Sequence, residues 1–407
     1  MADAIRPTIS RNAPPMDFEF DPSSAVASLG EAELAHYREL LADLGRAAGA
    51  FRFEVAPNPS VGAAVLSDGV EIGRGFHRVW GGPHAEVQAI EAARASGVPP
   101  ELWDTLVVTL EPCSSVGKTP ACTEAVMRER FRRIVVGALD PDPRHRGHGL
   151  ETLRAHGLEV VFLRGAAPLE RVAPHFVEWT RPDRLRRTLP WVIAKWAQTR
   201  SGQLSPPPEV GGGRWISGAE AREDVQRLRA HVDSIVTGVG TVLADDPRLS
   251  VRTATPPERV PLRVVLDSSL RTPPTARLFA PCAAGEVAGD VLLITRAGFD
   301  PVRYRALVAA GATIHALHSG DDGHASLREA LALLWTQGVR RLLLEAGPTL
   351  LAAAFEGEFI DQLRVYTASL NGGEGPALAR YLVPERLEQV AHSEVGEDAR
   401  LDAFRRR

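Results

Sequence analysis

The sequence has little cysteine, with three residues among 407. An odd number of cysteines does not suit a disulfide framework. Cys282 lies far from the other two, in a stretch of Pro, Ala and Gly, and we interpret it as a surface or packing thiol. Long apolar runs are also absent, since none approaches the roughly 18 residues needed to span a bilayer. The first residues lack the apolar core of a signal peptide. We therefore expect a cytoplasmic protein without a membrane partner.

An excess of positive charge is missing as well. The formal net charge is −4, so the chain has no overall basic field for nucleic acid, and we expect no nucleic-acid partner. Apolar residues make up 44% of the chain, which is enough for substantial cores. A length of 407 residues allows two or three domains.

The first half of the chain alternates helical and strand patterns. Residues 1–28 are polar, rich in proline and aperiodic, and we expect them to form a mobile arm. Two β-rich runs around Ser67-Asp68-Gly69 predict a hairpin. The segments around it predict the helices EAELAHYRELLADLGRAAG, HAEVQAIEAARASG, TEAVMRERF and LETLRAHG and the strands DTLVVTL, RRIVVGALD and LEVVFL. Such alternation is typical of a layered α/β domain, which we place at residues 29–180.

A charged segment with two prolines, residues 178–190, predicts a domain boundary. The alternation then restarts and predicts a second α/β domain over residues 188–407. Its expected elements are the helices SGAEAREDVQRLRAH and SLREALALLWTQG and the strands DSIVTGVG, LRVVLDS, DVLLITR and RRLLLEAG. Neither half has a GxGxxG that opens a helix, so a standard dinucleotide-binding fold has no support in the sequence.

Two of the cysteines, Cys113 and Cys122, lie in the stretch TLEPCSSVGKTPAC with eight residues between them. A disulfide, a redox pair, a pair of core residues or a metal site could explain them. The triplet His84-Ala85-Glu86 favours the metal, because one imidazole and two thiolates are three ligands for Zn²⁺ and leave a fourth position for water. Glu86 lies beside the ligands without being one, which suits a proton shuttle for hydrolytic loss of ammonia from an aminopyrimidine.

The first half resembles the bifunctional riboflavin-biosynthesis deaminase/reductase family, RibD. The resemblance runs in order through PNPSVGA, GRGFH, GGPHAE, TLEPCSSVGKTPAC and ALDPDPRHRGHG. It implies a cytidine-deaminase-like three-layer α/β/α domain. It also implies deamination of 2,5-diamino-6-ribosylamino-4(3H)-pyrimidinone 5′-phosphate, with zinc held by His84, Cys113 and Cys122 and with Glu86 as proton donor and acceptor.

The same resemblance implies substrate contacts in this half from Asn58, His77 and Lys118. Lys118 and Thr119 lie in the long interval between the cysteines, where they suit a phosphate or a sugar. Many family members have His where this chain has Ser115. Substrate handling is therefore expected to differ at that position, while the zinc chemistry is not.

The second half is similar to the reductase domain of the same family through PWVIAKWAQTRSG, RWISGAEAREDVQRLRAHVDSIVTGVGTVLADDPRLSVR, VVLDSSLRTP and LLLEAGPTL. This similarity implies a dihydrofolate-reductase-like fold and NADPH as the hydride source. Within it we expect GVGTVLADDP to be a loop after a strand, where glycines allow close backbone approach. The implied substrate-side residues are Lys195, Ser217, Arg229, Asp245, Leu249, Arg252 and Glu345. The implied cofactor-side residues are Ala197, Trp215, Thr241 and Asp267.

Three departures from the family pattern fall in this half, at Ser201, Gly213 and Ala346. They leave open a deaminase that keeps a degenerate reductase-like domain for assembly or substrate delivery. A non-catalytic zinc protein is a further alternative, although an unligated acid such as Glu86 has no use in a structural site. A polynucleotide deaminase is disfavoured by the acidic charge and the long cysteine interval. We expect a small-molecule ribotide substrate and a homo-oligomer, without a direct sequence signal for the oligomeric state.

Overall fold

The computed structural model describes residues 29–115, 120–181, 188–207, 216–318, 325–373 and 377–406. The chain divides into two compact units, Met1–Asp183 and Arg184–Arg407. The expected mobile arm, residues 1–28, lies outside the described residues. In the part of the chain that the structure describes, no helix combines the length and the apolar character needed to cross a membrane.

The first unit is built on a five-stranded sheet. Its strands are β1 Gly62–Ser67, β2 Val70–Phe76, β3 Thr105–Val108, β4 Arg133–Val136 and β5 Glu159–Phe162. Its helices are α1 Glu31–Ala48, α2 Arg52–Val55, α3 Ala85–Ala95, α4 Cys122–Arg128, α5 His148–Ala155, α6 Leu169–Val172 and α7 Pro174–Thr180, with short 3-10 turns at Gly49–Phe51 and Pro100–Leu102. All predicted helices and strands of this half are present, most of them shortened at the ends.

The strand order of this sheet is β2-β1-β3-β4-β5. β1 and β2 form the predicted hairpin, and Asp68 and Gly69 turn it with φ of 49° and 74°, as a two-residue turn of this kind requires. β3, β4 and β5 are parallel. Because parallel strands need a crossover, α4 and α5 connect them, and the carboxyl ends of these strands meet at one edge of the sheet.

Side chains of this sheet alternate between two cores. Ala63, Val65 and Leu106 pack with α3, α4 and α5 on one face. Ala64 and Val107 pack with α1 on the other face. Every central strand is thus covered on both sides, which explains its uninterrupted apolar sequence. The three-layer α/β/α prediction for this half is confirmed.

The second unit is built on a nine-stranded sheet. Its strands are β6 Trp191–Gln198, β7 Ser234–Gly238, β8 Leu262–Leu266, β9 Val291–Arg296, β10 Ala312–Leu317, β11 Arg341–Leu344, β12 Gln362–Thr367, β13 Leu387–Val395 and β14 Asp398–Arg405. Its helices are α8 Ala219–Ala230, α9 Val239–Asp245, α10 Pro301–Ala309, α11 Leu327–Thr336 and α12 Pro348–Glu356, with 3-10 turns at Ala379–Tyr381 and Pro384–Arg386.

The strand order is β10-β9-β8-β7-β11-β6-β12-β14-β13. The first seven strands in this order are parallel, and β14 and β13 complete the sheet as an antiparallel hairpin. The chain moves outward from β7 through β8, β9 and β10, then returns to place β11 between β7 and β6. The winding direction therefore changes between β7 and β11, and crevices at such a change are where open α/β sheets bind ligands.

Helices cover both faces of this sheet. A large core joins Val192, Val236 and Leu342 to α11 and α12, and a smaller cluster joins Tyr366 to Ala221 and Val225 of α8. The α/β class predicted for this half is confirmed.

The prediction of a loop at GVGTVLADDP is wrong. GVGTVLADDP contains the helix α9, because Val239 and Val242 lie one turn apart and are both buried, which anchors a helical turn after β7.

Candidate active sites

Three side chains of the first unit form a compact metal-ligating group. The ligand atoms of His84, Cys113 and Cys122 all lie within 4.8 Å of one another. His84 Nδ1 is 3.1 Å from Cys122 Sγ and 3.7 Å from Cys113 Sγ. One imidazole and two thiols at such distances fit tetrahedral Zn²⁺, with a fourth position left over. Within the described ranges, this is the one group of three or more His, Cys, Asp or Glu side chains with this geometry.

Local structure places each of these ligands. His84 is the residue before α3, and Cys122 is the first residue of α4. Cys113 follows β3 and receives a hydrogen bond at 3.3 Å from the backbone N–H of Cys122. A hydrogen bond from the Cys122 thiol is the chief cause that lowers the pKa of Cys113 below that of an ordinary thiol. Cys113 is therefore prepared to act as a thiolate ligand.

Glu86 lies in the first turn of α3 with only 3% of its surface exposed. Burial raises its pKa above that of an ordinary glutamate, although the nearby His84 acts in the opposite direction. A carboxyl group whose pKa is moved toward neutrality can both accept and return a proton during a reaction. Position and pKa together suit Glu86 to proton transfer beside the metal group.

Asn58 and His77 lie next to this group and are joined to each other. Asn58 Nδ2 is 3.2 Å from His77 Nε2, and His77 Nδ1 is 3.1 Å from the carbonyl oxygen of Pro83. The carbonyl can only accept, so Nδ1 carries the proton and Nε2 accepts from the Asn58 amide. The rings of His77 and His84 are 5.0 Å apart. Lys118, the third expected substrate contact of this half, lies outside the described residues, whereas Ser115 is exposed.

Two further residues of this half were not expected from the sequence. The carbonyl of Asn58 accepts a hydrogen bond at 2.9 Å from Nε2 of the buried His175, which fixes the Asn58 backbone. Asp140 has its pKa raised to about 7, chiefly by burial and further by Glu111 and Cys113. His175 gave no sequence signal, because it is remote in the chain. For Asp140, the repeated Asp-Pro of the DPDP stretch was the one feature of the sequence that could have indicated a special role.

Glu111 attaches the loop that carries Asp140 to the segment that carries Cys113. Its carboxylate accepts backbone hydrogen bonds from Asp140 at 3.1 Å and from Gly147 and Gly149 at 2.9 Å each. Because Glu111 precedes Cys113 by two residues, these bonds hold a metal ligand and the loop at residues 140–149 in one arrangement.

In the second unit, three of the expected substrate-side residues meet at the end of β11. Glu345 Oε1 is 2.6 Å from Arg229 Nε, and Glu345 Oε2 is 3.4 Å from Lys195 Nζ. Only 12% of the Glu345 side chain is exposed. Burial raises its pKa, but Arg229 and Lys195 outweigh burial and lower the pKa to about 2. One carboxylate between two cations leaves a positive charge at this edge of the sheet.

The other expected substrate-side residues of this unit do not join that group through any hydrogen bond or ion pair between described residues. Arg252 Nη1 contacts Glu286 at 3.1 Å, and burial raises the pKa of Asp245, the last residue of α9. Leu249 is buried with φ of 51°. The carbonyl of Ser217 accepts a hydrogen bond at 2.6 Å from Arg222.

The expected cofactor-side residues are spread over several strand ends. Thr241 Oγ1 accepts a hydrogen bond at 3.1 Å from the backbone N–H of Gly347, between β7 and β11, where the winding direction changes. Ala197 lies on β6, and Trp215 lies outside the described residues. Asp267 is fully buried and accepts bonds from the backbone of Arg271 and Thr272 at 2.9 and 2.7 Å. Its carboxylate therefore shapes the loop after β8.

The departures at Ser201 and Ala346 fit their surroundings. Ser201 Oγ exchanges hydrogen bonds with the backbone N–H and carbonyl of Gly372, both at 2.9 Å. Ala346 is not among the described residues with positive φ, so its Cβ introduces no backbone strain of that kind. Gly213 lies outside the described residues.

Comparisons with known proteins match both units. The model of the cytidine and deoxycytidylate deaminase zinc-binding region matches residues 45–138, and the RibD C-terminal domain model matches residues 190–401. The riboflavin biosynthesis protein RibD of Aquifex aeolicus is 34% identical over 321 residues, which are 78% of this chain and 83% of the relative.

Solved structures agree with these matches. RibD of Acinetobacter baumannii, form 1, has a TM-score of 0.62 at 28% identity and covers 92% of this chain and 100% of its own. A Thermotoga maritima structure described as a diaminohydroxyphosphoribosylaminopyrimidine deaminase/5-amino-6-(5-phosphoribosylamino)uracil reductase has a TM-score of 0.61 at 27% identity. It covers 91% of this chain and 99% of its own.

The matched domains assign the chemistry. The chain is an enzyme of riboflavin biosynthesis that acts on a small molecule by deamination and by reduction. Its deaminase domain binds zinc, and its reductase domain uses NADPH. The Aquifex aeolicus relative is more than 30% identical over most of both chains, and the RibD C-terminal domain model matches more than half of this chain. The chain therefore belongs to the RibD family of bifunctional deaminase/reductases.

Proposed function

We propose that residues 29–180 deaminate 2,5-diamino-6-ribosylamino-4(3H)-pyrimidinone 5′-phosphate by hydrolysis. Residues 188–407 then reduce the ribosyl side chain of the product to ribityl with NADPH. The observation that carries the proposal is the group of His84, Cys113 and Cys122 with the buried acid Glu86 beside it. The name of the Thermotoga maritima neighbour describes this pair of reactions for that protein.

Deamination follows from the chemistry of this group. His84 and the two thiolates hold zinc, which when bound supplies a water of lowered pKa. Glu86 takes a proton from the attacking water and delivers it to the exocyclic nitrogen, which leaves as ammonia. Water thus replaces the amino group with a carbonyl oxygen, and Glu86 ends in the protonation state in which it began.

Asn58 and His77 position the substrate in this proposal. Their side chains are fixed by hydrogen bonds to each other and to the carbonyl of Pro83. The fixed backbone of Asn58, held by His175, removes conformational freedom before the ribotide binds. Lys118 supplies a cation toward the sugar or the phosphate. Asp140, with its pKa near neutrality, is a further candidate for contact with the pyrimidine.

Reduction is placed where β6, β7 and β11 end. When bound, NADPH supplies the hydride. Lys195 and Arg229 surround Glu345 and leave a net positive charge that attracts the phosphate-bearing product. Arg252, Asp245, Leu249 and Ser217 are proposed to complete the substrate side, and Thr241, Ala197 and Trp215 to contact the cofactor.

One assay tests both halves of the proposal. The zinc-loaded protein receives the diaminopyrimidinone ribotide, and ammonia release and NADPH oxidation are followed separately. Both signals are expected in succession, with NADPH oxidation depending on prior deamination. If ammonia is released but NADPH is not oxidised, the protein is a deaminase only. If the zinc-loaded protein releases no ammonia, the deaminase assignment is wrong.

We further propose a cytoplasmic homo-oligomer. Cys113, Cys122 and Cys282 are all free of disulfide bonds, which suits a reducing compartment. Soluble oligomers are mostly symmetric assemblies of identical chains. Light scattering of the purified protein measures the assembly, and a mass equal to one chain at micromolar concentration would contradict it.

A further inference from the structure

Residues 248–252 of the second unit follow α9 and end at Arg252, one of the proposed substrate-side residues. The helix α8 holds this segment through two hydrogen bonds. Arg229 Nη1 donates to the carbonyl of Ser250 at 2.9 Å, and the backbone N–H of Arg252 donates to the buried Gln226 at 2.9 Å. Because Arg229 also belongs to the charged group at the end of β11, the segment lies beside that group.

The backbone of this segment has a conformation that its sequence does not favour. Leu249 is buried and has φ of 51°, in the left-handed region that suits glycine and is unfavourable for leucine. Such a conformation persists where surrounding contacts determine it, and residues of this kind cluster at functional sites. Contacts from outside the segment are therefore needed to keep Arg252 in place.

Glu286, in the loop before β9, makes such contacts with three side chains of the segment. Its Oε1 is 3.1 Å from Arg252 Nη1 and 3.4 Å from Ser250 Oγ. Its Oε2 is 3.9 Å from Arg248 Nη1 and accepts a hydrogen bond at 3.2 Å from the backbone N–H of Ala283. Only 8% of the Glu286 side chain is exposed, so solvent screens these contacts little.

Main-chain hydrogen bonds set the register between Glu286 and the segment. Val287 N donates to the carbonyl of Val251 at 3.0 Å, and Val251 N donates to the carbonyl of Val287 at 2.8 Å. Val287 directly follows Glu286, and Val251 directly precedes Arg252, so these bonds bring the carboxylate and the guanidinium together.

The Arg252 side chain is held at one point and open elsewhere. In the part of the chain that the structure describes, Glu286 is its only hydrogen-bond or ion-pair partner, through Nη1, and 48% of the side chain is exposed. A guanidinium has five N–H donors, so donors remain for a ligand. Together with Arg248, the three side chains have a net positive charge, which attracts an anionic ribotide.

We propose that Glu286 is a positioning residue for the reduction and holds Arg252 in the orientation that binds the ribotide. The inference rests on the proposed reductase function, in which Arg252 lies on the substrate side. Glu286 does not touch the substrate in this role. Without the carboxylate, the long Arg252 side chain samples several rotamers, and part of its binding free energy is lost in ordering it.

Steady-state kinetics with the deaminated ribotide and NADPH measure this effect. Glu286→Ala is expected to raise the KM for the ribotide about tenfold, with little change in kcat or in the KM for NADPH. Glu286→Gln keeps an oxygen that can accept from Arg252 and should recover much of the loss. Glu258→Ala is the matched control and should leave all three constants unchanged, because Glu258 is an exposed glutamate of the same unit outside these contacts.

A double-mutant cycle tests whether Glu286 acts through Arg252. In an Arg252→Gln background, Glu286→Ala is expected to raise the KM for the ribotide about twofold or less, because the contact is already lost. Calorimetric titration of the ribotide, with NADP⁺ in place of NADPH so that no turnover occurs, provides a second readout. It should show the same tenfold weakening for Glu286→Ala in the otherwise unmodified chain.

The outcomes separate this inference from the proposed function. If the unmodified chain reduces the ribotide and Glu286→Ala keeps its KM, Glu286 has no positioning role and the reductase assignment stands. A fall in kcat and in the thermal transition with an unchanged KM would make Glu286 a structural residue and overturn the inference. A tenfold rise in KM that persists in the Arg252→Gln background would also overturn it. If the unmodified chain neither binds the ribotide nor oxidises NADPH, the reductase proposal itself fails, and this inference fails with it.

Discussion

Glu86 lies next to the three proposed metal ligands without belonging to their group. The group within 4.8 Å consists of His84, Cys113 and Cys122. Burial raises the pKa of Glu86, which favours a role in proton transfer. The residue therefore separates catalysis from metal binding, and a single substitution can distinguish the two.

Glu86→Gln is expected to reduce the turnover of ammonia release by about 10² to 10⁴, the usual size of a lost acid–base group. The amide keeps the size of the side chain but cannot carry a proton. Metal analysis of the purified variant should show an unchanged zinc content. Loss of zinc in this variant would make Glu86 a ligand, contrary to the role assigned to it.

Glu345 provides a second test at the residue scale. Its folded-state pKa of about 2 lies below the ordinary value of 4.5 for a glutamate, so the carboxylate stabilises the folded state above the ordinary pKa. This stabilisation is lost as the pH falls from about 4.5 through about 2. Thermal unfolding followed from pH 6 to pH 3 should show a steeper loss of stability in the unmodified chain than in Glu345→Gln.

The Glu345→Gln variant should already be less stable at neutral pH, because Arg229 loses its buried carboxylate partner. Parallel pH profiles for the two proteins would show that the contacts of Arg229 and Lys195 with Glu345 do not lower its folded-state pKa.

Residue type and spacing were enough to predict that His84, Cys113 and Cys122 come together, because the imidazole and the two thiols suit one zinc ion. They were not enough for the contact between Asn58 and His77 or for His175. The contact joins residues 19 positions apart, and His175 reaches the Asn58 carbonyl from 117 positions away. Contacts of this kind depend on packing between elements, which no local pattern in the sequence contains.

At the scale of elements, prediction succeeded where a segment is buried on both sides. β3 and β4 are fully buried, and each contains three consecutive apolar residues. It missed several elements, some of which have little burial. α10 and β13 have one buried residue each, Leu307 and Leu387, and the sequence pattern predicts neither element. The sequence predicts a loop in place of α9, because the glycines of this helix obscure its two buried valines.

The loop held by Glu111 gives an element-scale prediction. A Cβ on Gly149 would lie 2.1 Å from the carbonyl oxygen of Pro112, the residue before Cys113. Gly149→Ala must therefore displace the start of α5 or the cysteine-bearing segment, at a cost of about 1 to 3 kcal/mol. Lower thermal stability and weaker zinc retention are expected, measured by calorimetry and by competition with a chelating dye.

Gly30→Ala is the matched control for this variant. Gly30 has ordinary negative φ, and nothing lies within 4 Å of a Cβ added there. This control should keep the stability and the zinc affinity of the unmodified chain within experimental error. If both variants behave alike, the close approach of Gly149 to Pro112 does not govern the zinc site.

At the scale of the whole molecule, the two reactions are assigned to residues of different units. The metal ligands all precede Asp183, whereas Lys195, Arg229 and Glu345 all follow Arg184. Each unit has its own sheet and its own apolar cores. No residue assigned to the reduction is a metal ligand, so the two activities should respond differently to removal of the metal.

Removal of zinc by a chelator is therefore expected to abolish ammonia release and to leave reduction intact. The second reaction must be assayed with the deaminated ribotide supplied directly, since the treated enzyme no longer produces it. NADPH oxidation is measured by its absorbance before and after chelation, and re-addition of zinc should restore ammonia release alone. A parallel fall of both activities would mean that the metal supports the reductase as well, and the assignment of one reaction to each unit would then be wrong.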